Sequence, residues 1–539
     1  MSDSSAWRDV ASPTTAVTAR DIVELAISAC EAAPEVPVIV FEDGVQISRA
    51  DFRAAVDRFA SWLHTRIEPG DRVAIIMHNR IEYMVAWIAV AAKGGILVAV
   101  NHDAGRYDAH HVLADSRAQI ALVDSETEGL VAELEPALPD LEHVVLVGGE
   151  EPGGLDPFQD PKAPGIEELR VDPAAATNVY YTSGTTGPPK GCLVGHDYWI
   201  RFTQLYLDCY GMDLDDRMLC CLQFFYNDPS WEFLASLQAG TTLVAMRRFS
   251  VSRFWNVVRD HKVTQLFSLA SIPSLLLKAP PNPELDRETG VRFGLHVGIP
   301  KDLHAEMVKR WGFPWMEAYG MTETGITVGV PLREADRLIG SGTIGIPFPG
   351  AEIRLLDDNG EEAGRGEPGE IWMKGPGFFK GYLNQPEALV DGWMQSGDVG
   401  RRDERGYLYF VGRKKDIIRR SGENVAAAEV EDVLRSHSRV LEAAVVPVPD
   451  ELRGEEVKAY IGLTDETSVH ELSPTELVVH CRERLAKHKV PRYIEFRLEP
   501  FPRTASMRVK KSALVAEARD PLADAWDRDR EMPDWAGRA

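Results

Sequence analysis

Tyr181-Thr182-Ser183-Gly184-Thr185-Thr186-Gly187-Pro188-Pro189-Lys190-Gly191 follows the β-branched and aromatic run that begins at Asn178, so a strand ends in a loop of small, hydroxylated residues. The stretch holds three glycines, four serine or threonine hydroxyls and one lysine. Glycines let backbone N–H groups converge on phosphate oxygens, hydroxyls add donors without bulk, and the lysine adds a mobile positive charge. A loop of this composition is suited to wrapping a polyphosphate. Two prolines separate Gly187 from Lys190, so the adjacent Gly-Lys-Ser/Thr of a Walker A loop is absent.

On the N-terminal side of this loop, short apolar runs at 72–77, 96–100, 120–123 and 144–147 alternate with helical patterns at 53–63 and 109–113. That alternation predicts an α/β fold with parallel sheets covered by helices. Residues 148–173 are rich in Gly, Pro and Asp and predict a surface loop. On the C-terminal side, shorter runs with turn residues at 345–375 predict a more antiparallel, β-barrel-like subdomain. The basic segment Gly412-Arg413-Lys414-Lys415-Asp416-Ile417-Ile418-Arg419-Arg420 then interrupts an acidic chain and predicts a junction. The stretch from 417 to 514 has the length of one small α+β domain, with a helix at 427–437, a strand at 443–448 and a helix at 474–488. The charged, proline-punctuated residues 520–539 predict a loose tail.

The chain has 539 residues, 44% hydrophobic and 26% charged, which excludes fibrous and wholly disordered classes. Its 83 acidic residues outnumber 59 basic ones, and the formal charge of −24 opposes non-specific attraction to nucleic acid or anionic membranes. Neither is expected as a partner. The six cysteines never form a CxxC pair, so a reducing cytoplasm is the expected location and no disulfide framework or zinc ribbon is indicated. The long apolar region 83–100 is interrupted by Lys93, Gly94 and Gly95 and predicts a buried helix running into a buried strand.

Four further segments stand in order along the chain. They are Tyr319-Gly320-Met321-Thr322-Glu323-Thr324, Ser396-Gly397-Asp398, the pair Gly412-Arg413-Lys414-Lys415-Asp416 and Gly422-Glu423-Asn424-Val425, and Pro502-Arg503-Thr504-Ala505-Ser506. With the glycine-hydroxyl loop they resemble the motifs of the adenylate-forming superfamily: acyl-CoA ligases, adenylation domains and luciferases. Among these the chain is most similar to carnitine/crotonobetaine-type CoA ligases. The resemblance covers roughly residues 20–514. It implies an AMP-binding domain over 1–414 and a mobile domain over 415–519, followed by the charged tail 520–539. It also implies an AMP-forming ligase that uses ATP and Mg²⁺, with CoA as acceptor and a small-molecule acid as substrate. A monomer or homodimer is expected.

By that resemblance Thr182, Ser183, Gly184, Thr185, Thr186, Gly187 and Lys190 serve the phosphates. Thr322 contacts the α-phosphate, and Glu323 holds Mg²⁺, as suits a hard oxygen ligand. Tyr319 offers a face to adenine, and Asp398 and Arg413 bind the ribose. Lys415 is the hinge about which the small domain swings to present the turn at Gly422 to the acceptor. Phe225, Tyr226, Trp231, Gly298 and Thr324 border the acid pocket.

Two departures qualify the match. The family's C-terminal lysine is replaced by Arg508, whose planar guanidinium cannot concentrate charge at one nitrogen; Lys510 or Lys511 is an alternative. Where carnitine-type ligases place a histidine near 222–231, this chain carries bulky aromatics, which favour a small or aryl acid. Two other functions are compatible with these residues: ATP-dependent activation of nitrite for transfer to an arylamine, and a catalytically degenerate nucleotide-binding protein. The run His110-His111-Val112-Leu113-Ala114-Asp115 imitates the HHxxxD motif of condensing acyltransferases but lacks the glycine that comes after it there, and its histidines are expected to be solvated on a helix.

Overall fold

A computed structural model describes residues 7, 18–148, 171–182, 189–269, 272–287, 289–385, 388–421, 423–463, 472–503, 509–517, 522–532 and 535. A six-stranded sheet carries the glycine-hydroxyl loop. Its order is His143–Leu146, Ile120–Val123, Arg72–Ile76, Ile96–Ala99, Ala176–Thr182 and Lys190–Gly195. The first five strands run parallel, and Lys190–Gly195 returns antiparallel to Ala176–Thr182. Beside it lies a nine-stranded sheet whose central strands, including Gln265–Leu269, Phe293–Val297 and Trp315–Met321, are parallel.

The expected buried helix is Ile81–Ala92, followed by the buried strand Ile96–Ala99. Every residue from Tyr83 to Ala92 is buried, as befits a helix that is apolar all round. Its Trp87 meets Trp199 and Phe233, and its indole N–H donates to Asn178 Oδ1 at 2.8 Å. Asn178 also accepts from Trp199 Nε1 at 3.0 Å and Thr177 Oγ1 at 2.8 Å. A buried amide satisfied this fully fixes the register of the strand that feeds the loop. Two residues on, Tyr180 Oη bonds Ser230 Oγ at 2.8 Å and ties the same strand to the helix Asp228–Gln238.

The antiparallel unit comprises Glu352–Leu356, Pro368–Lys374, Met394–Arg402 and Leu408–Arg413, paired in that order. After the short turn Lys414–Asp416 a separate small α+β unit begins, with its own sheet and core. Its strand Val440–Asp450 is longer than the sequence pattern suggests. Pro447 and Pro449 can lie inside it because, among the described residues, it pairs on one side only, with Gly454–Leu463. The helix Pro474–Arg482 is shorter than expected, giving way to a 3₁₀ turn at Lys487–Lys489.

The expectation of a loose tail is corrected by this structure. Trp526–Asp527 adds an antiparallel strand to Tyr493–Arg497, and Trp535 is buried in the small core. Arg528, 1% exposed, donates to the carbonyls of Val490 and Pro491. Charge composition is a poor guide to this segment: Arg492 pairs with Asp527 at 3.1 Å, and Arg482 and Arg528 lie over the Trp535 ring. The charges that look solvated in sequence sew the segment down. Replacing Trp535 by Ala should therefore destabilise the small unit by about 3–5 kcal/mol, seen as an earlier denaturant midpoint for that unit.

Candidate active site

The strand Ala176–Thr182 places Thr182 opposite Lys190 across an antiparallel pair, so the two ends of the loop are held side by side. Ser183, Gly184, Thr185, Thr186 and Gly187 lie outside the described residues. The helix Arg106–Ser116 braces both ends. His111 Nε2 bonds the Pro189 carbonyl at 2.9 Å, and Tyr181 donates to Asp115 Oδ2 at 2.7 Å. His110 and His111 are half-buried, contrary to the solvated helix face expected for them. The imitation of an acyltransferase motif is thus a structural brace.

Thr322 and Glu323 occupy the turn between the strands Trp315–Met321 and Gly325–Gly329. That turn demands Gly320, where a Cβ would meet the Gly325 carbonyl oxygen at 2.1 Å. Glu323 is buried, and Tyr382 donates a hydrogen bond to its Oε1 at 2.6 Å. The same phenol ring receives Lys190, whose Nζ lies 5.3 Å from the ring centroid. Residues 379–383 make this junction. Phe379 N donates to the Glu323 carbonyl, Lys380 N to Leu193 O, and Leu383 N to Gly191 O. The lysine of the loop and the carboxylate of the distant turn therefore meet on one side chain. Tyr382 escaped sequence reading because it is 59 positions from Glu323, with no motif of its own.

Asp398 and Arg413 are cross-strand partners, with Arg413 Nε 2.8 Å from Asp398 Oδ1. Tyr319 donates to Asp398 Oδ2 at 2.8 Å. The buried aspartate thus links the expected adenine residue to the expected ribose residues.

In the acid-pocket segment, Asn79 donates to the Leu222 and Met246 carbonyls at 2.9 and 2.8 Å and accepts from Phe224 N at 2.7 Å. This fixes Phe225 and Tyr226, which are half-buried with ring centroids 4.3 Å apart. Trp231, expected on the wall, is instead fully buried against Phe202, Tyr206 and Phe267, because the first turn of its helix directs it into the core. Thr324 is buried and donates to the Gly325 carbonyl at 2.9 Å. Gly298 has φ +93°, a conformation that favours glycine. Sequence reading missed Glu317, whose two carboxylate oxygens accept from Gly298 N and Ile299 N at 2.6 Å each. Two residues before Tyr319 on one strand, it shares a face with it. Burial pushes the Glu317 carboxyl up to about 8, against the pull of those two N–H donors.

Lys415 is exposed between two anchored neighbours. Lys414 pairs with Glu370 at 3.0 Å in the antiparallel unit, and Asp416 with Lys511 at 3.5 Å in the small unit. Gly422 and Arg508 lie outside the described residues. Lys510 is described and donates its backbone N–H to the Pro502 carbonyl at 2.7 Å. The units also meet where Lys278 Nζ donates to the Val440 carbonyl at 2.6 Å. Between them, from Lys301 and Asp302 to Glu429, Asp432 and His480, opens a polar cleft of about 640 Å³.

The family model described as AMP-binding enzyme matches residues 28–383, and that of the AMP-binding enzyme C-terminal domain matches 429–508. The chain belongs to the AMP-binding enzyme family. It is 31% identical over 504 residues to a crotonobetaine/carnitine–CoA ligase of Salmonella paratyphi A, covering 88% of this chain and 95% of the relative. Among solved structures it resembles the o-succinylbenzoate CoA synthetase of Bacillus subtilis in complex with its acyl-adenylate. That match has a TM-score of 0.79 and 30% identity, over 91% of this chain and 97% of that one. ATP-bound MatB from Rhodopseudomonas palustris matches with a TM-score of 0.81 and 26% identity, over 93% and 99% of the two chains. This member of the family is an ATP-dependent, AMP-forming ligase. No helix among its described residues is long and apolar enough to cross a membrane.

Two outcomes test this geometry. Tyr382→Phe keeps the ring under Lys190 but removes the bond to Glu323, and should lower kcat by about tenfold, the cost of about 1.4 kcal/mol, while raising the Mg²⁺ concentration needed for half-maximal rate. Glu317 in the folded chain keeps its proton to about pH 8, against an ordinary value of 4.5. The folded state thus binds the extra proton in that window. Its stabilising contribution is complete below 4.5 and is lost as pH rises through about 8. Denaturant titrations should show stability falling across the window, and Glu317→Gln should remove that component of the slope.

Proposed function

We propose that the chain activates a small or aromatic carboxylic acid with ATP and passes the acyl group to CoA. The observation that carries this reading is the meeting of Lys190 and Glu323 on Tyr382, which brings a phosphate-binding lysine and a buried carboxylate to one point. The Asp398–Arg413 pair, tied to Tyr319, supports a nucleoside site on the same strand as the Glu323 turn.

In the first step an oxygen of the acid forms a bond to the α-phosphorus of ATP. The bond from that phosphorus to the bridging oxygen of the β-phosphate breaks, and its electron pair leaves with pyrophosphate. Little covalent chemistry is asked of the protein; the barrier is mainly charge and alignment. Lys190 neutralises charge on the leaving phosphates, Thr322 donates near the α-phosphate, and Asp398 with Arg413 holds the ribose hydroxyls. Glu323 fits a hard divalent cation: it is a buried oxygen donor whose Oε1 is oriented by the Tyr382 phenol. Mg²⁺ there would neutralise phosphate charge, and the structure of the Bacillus subtilis synthetase in complex with ATP and magnesium ion supports Mg²⁺ as the ion used with ATP.

In the second step the CoA sulfur, its proton released, attacks the acyl carbon, and the bond to the AMP oxygen breaks. Phe225 and Tyr226 supply flat apolar surface for the acid, and the Gly298 turn, clamped by Glu317, is assigned to the same pocket. The cleft between the units is a route for the acceptor, and Lys415, exposed at the junction between residues that pair with different units, is suited to be the pivot. Arg508 in place of lysine makes the first step the one to measure with care. Neither nitrite activation nor a degenerate role gains support, since the Salmonella and Bacillus relatives are a CoA ligase and a CoA synthetase.

The test is AMP release across a panel of acids, including nitrite, with and without CoA and arylamines. Aryl or short acids with CoA should be turned over, and AMP formed only with nitrite plus an amine would overturn the proposal. Glu323→Gln should remove most Mg²⁺-dependent turnover. Lys415→Pro should spare acid-dependent pyrophosphate exchange while slowing thioester formation at least about tenfold, as restricting one backbone pivot implies; equal loss of both would argue against the hinge.

A further inference from the structure

Three neighbouring parallel strands, Ile120–Val123, Arg72–Ile76 and Ile96–Ala99, end on the same edge of the six-stranded sheet. The segments just beyond their ends carry Asp124 and Glu126, His78, and His102 with Asp103. None of these has a role in the ligase chemistry above. Among the described residues, His78, His102 and Asp103 form a group whose ligand atoms all lie within 4.8 Å of one another.

The surroundings prepare the imidazoles as ligands. Asp124 accepts from the His78 backbone N–H and bonds His78 Nδ1, both at 2.8 Å. Its other oxygen accepts from Thr127 N, Thr127 Oγ1 and Glu126 N at 3.0, 3.0 and 3.1 Å. A carboxylate fixed in this way holds Nδ1 as the N–H and leaves Nε2 as the lone pair, the orientation seen behind metal-bound histidines. His78 Nε2 is 3.7 Å from Glu126 Oε2. The His102 side chain is only 3% exposed; its Nε2 is 3.7 Å from Asp103 Oδ2 and its Nδ1 has no hydrogen-bond partner. The two imidazole rings lie 4.1 Å apart. Ligands on a tetrahedral zinc-class ion, at about 2.0–2.2 Å from it, stand about 3.3–3.5 Å from each other. The two 3.7 Å contacts exceed that spacing by a few tenths of an ångström, which the carboxylates, 81% and 77% exposed, can close by swinging; the wider separations in the group, within 4.8 Å, close only if the half-exposed His78 ring turns as well.

We propose that His78, His102 and Asp103 bind a zinc-class divalent ion, with Glu126 beside His78 as the side chain that would complete its shell, at a site separate from the Mg²⁺ assigned to Glu323. Two imidazole nitrogens favour Zn²⁺ over Mg²⁺ or Ca²⁺, which take oxygen ligands. The six cysteines are all buried and offer no competing exposed thiolate. The ion would pin three strand ends together beside the acid-pocket wall, since the His102 ring packs edge-on to Phe225 at 5.3 Å.

The experiment is equilibrium dialysis of the chelator-treated full chain against Zn²⁺, without nucleotide and with Mg²⁺ in large excess to fill hard-oxygen sites, with bound metal counted by elemental analysis. About one Zn²⁺ per chain should be retained, as one closed site requires. His78→Ala should abolish retention, and Asp124→Asn, which removes the carboxylate behind His78 Nδ1, should weaken affinity about 10–100-fold. Asp103→Asn changes an exposed side chain and keeps the test valid should a histidine variant fail to fold; it too should weaken binding. Failure of the wild-type chain to retain Zn²⁺, or retention unchanged in His78→Ala and Asp103→Asn, would overturn the proposal. Because no turnover is measured, the result stands apart from the assignment of ligase substrates.

Discussion

The hydrogen bond from Tyr382 to Glu323 is the contact on which the site's assembly depends. It is demanding to arrange, because a carboxylate enters a protein interior only when its oxygens are satisfied. The backbone around Tyr382 is fixed by bonds to the strand Lys190–Gly195, and its ring carries Lys190 on the other side. One side chain therefore transmits the position of the loop sheet to the Thr322–Glu323 turn of the neighbouring sheet. The roles proposed for Lys190 and Glu323 require a constant spacing between them, and this residue sets it.

The second organising element is the buried amide of Asn178. Two indoles and a hydroxyl bond its oxygen, so the strand feeding the loop cannot slip in register without orphaning several polar groups. Asn79 plays the same part for the aromatic segment. Both are polar residues in apolar surroundings, and both locate functional backbone rather than perform chemistry.

Much of this was legible from residue pattern. The alternation before residue 175 announced the parallel sheet, and the ordered motifs announced the family, because each motif is a short local pattern that can be read without its neighbours in space. What escaped was long-range or two-faced. Tyr382 is a lone tyrosine whose meaning comes from a partner far along the chain. Glu317 reads as an ordinary strand residue until the Gly298 turn is folded onto it. Trp231 looked like a pocket wall because aromatic type does not tell inward from outward on a helix. The C-terminal residues looked detached because arginine and aspartate are usually solvated, whereas here they pair with one another and cover Trp535.

The arrangement at Lys414, Lys415 and Asp416 has an implication for how such chains diversify. The two residues flanking Lys415 are each committed to a different body, so a crossover between related genes at this codon would exchange one core for another without cutting a strand pairing among the described residues. The polar bond from Lys278 to a main-chain carbonyl makes no demand on the side chain it meets.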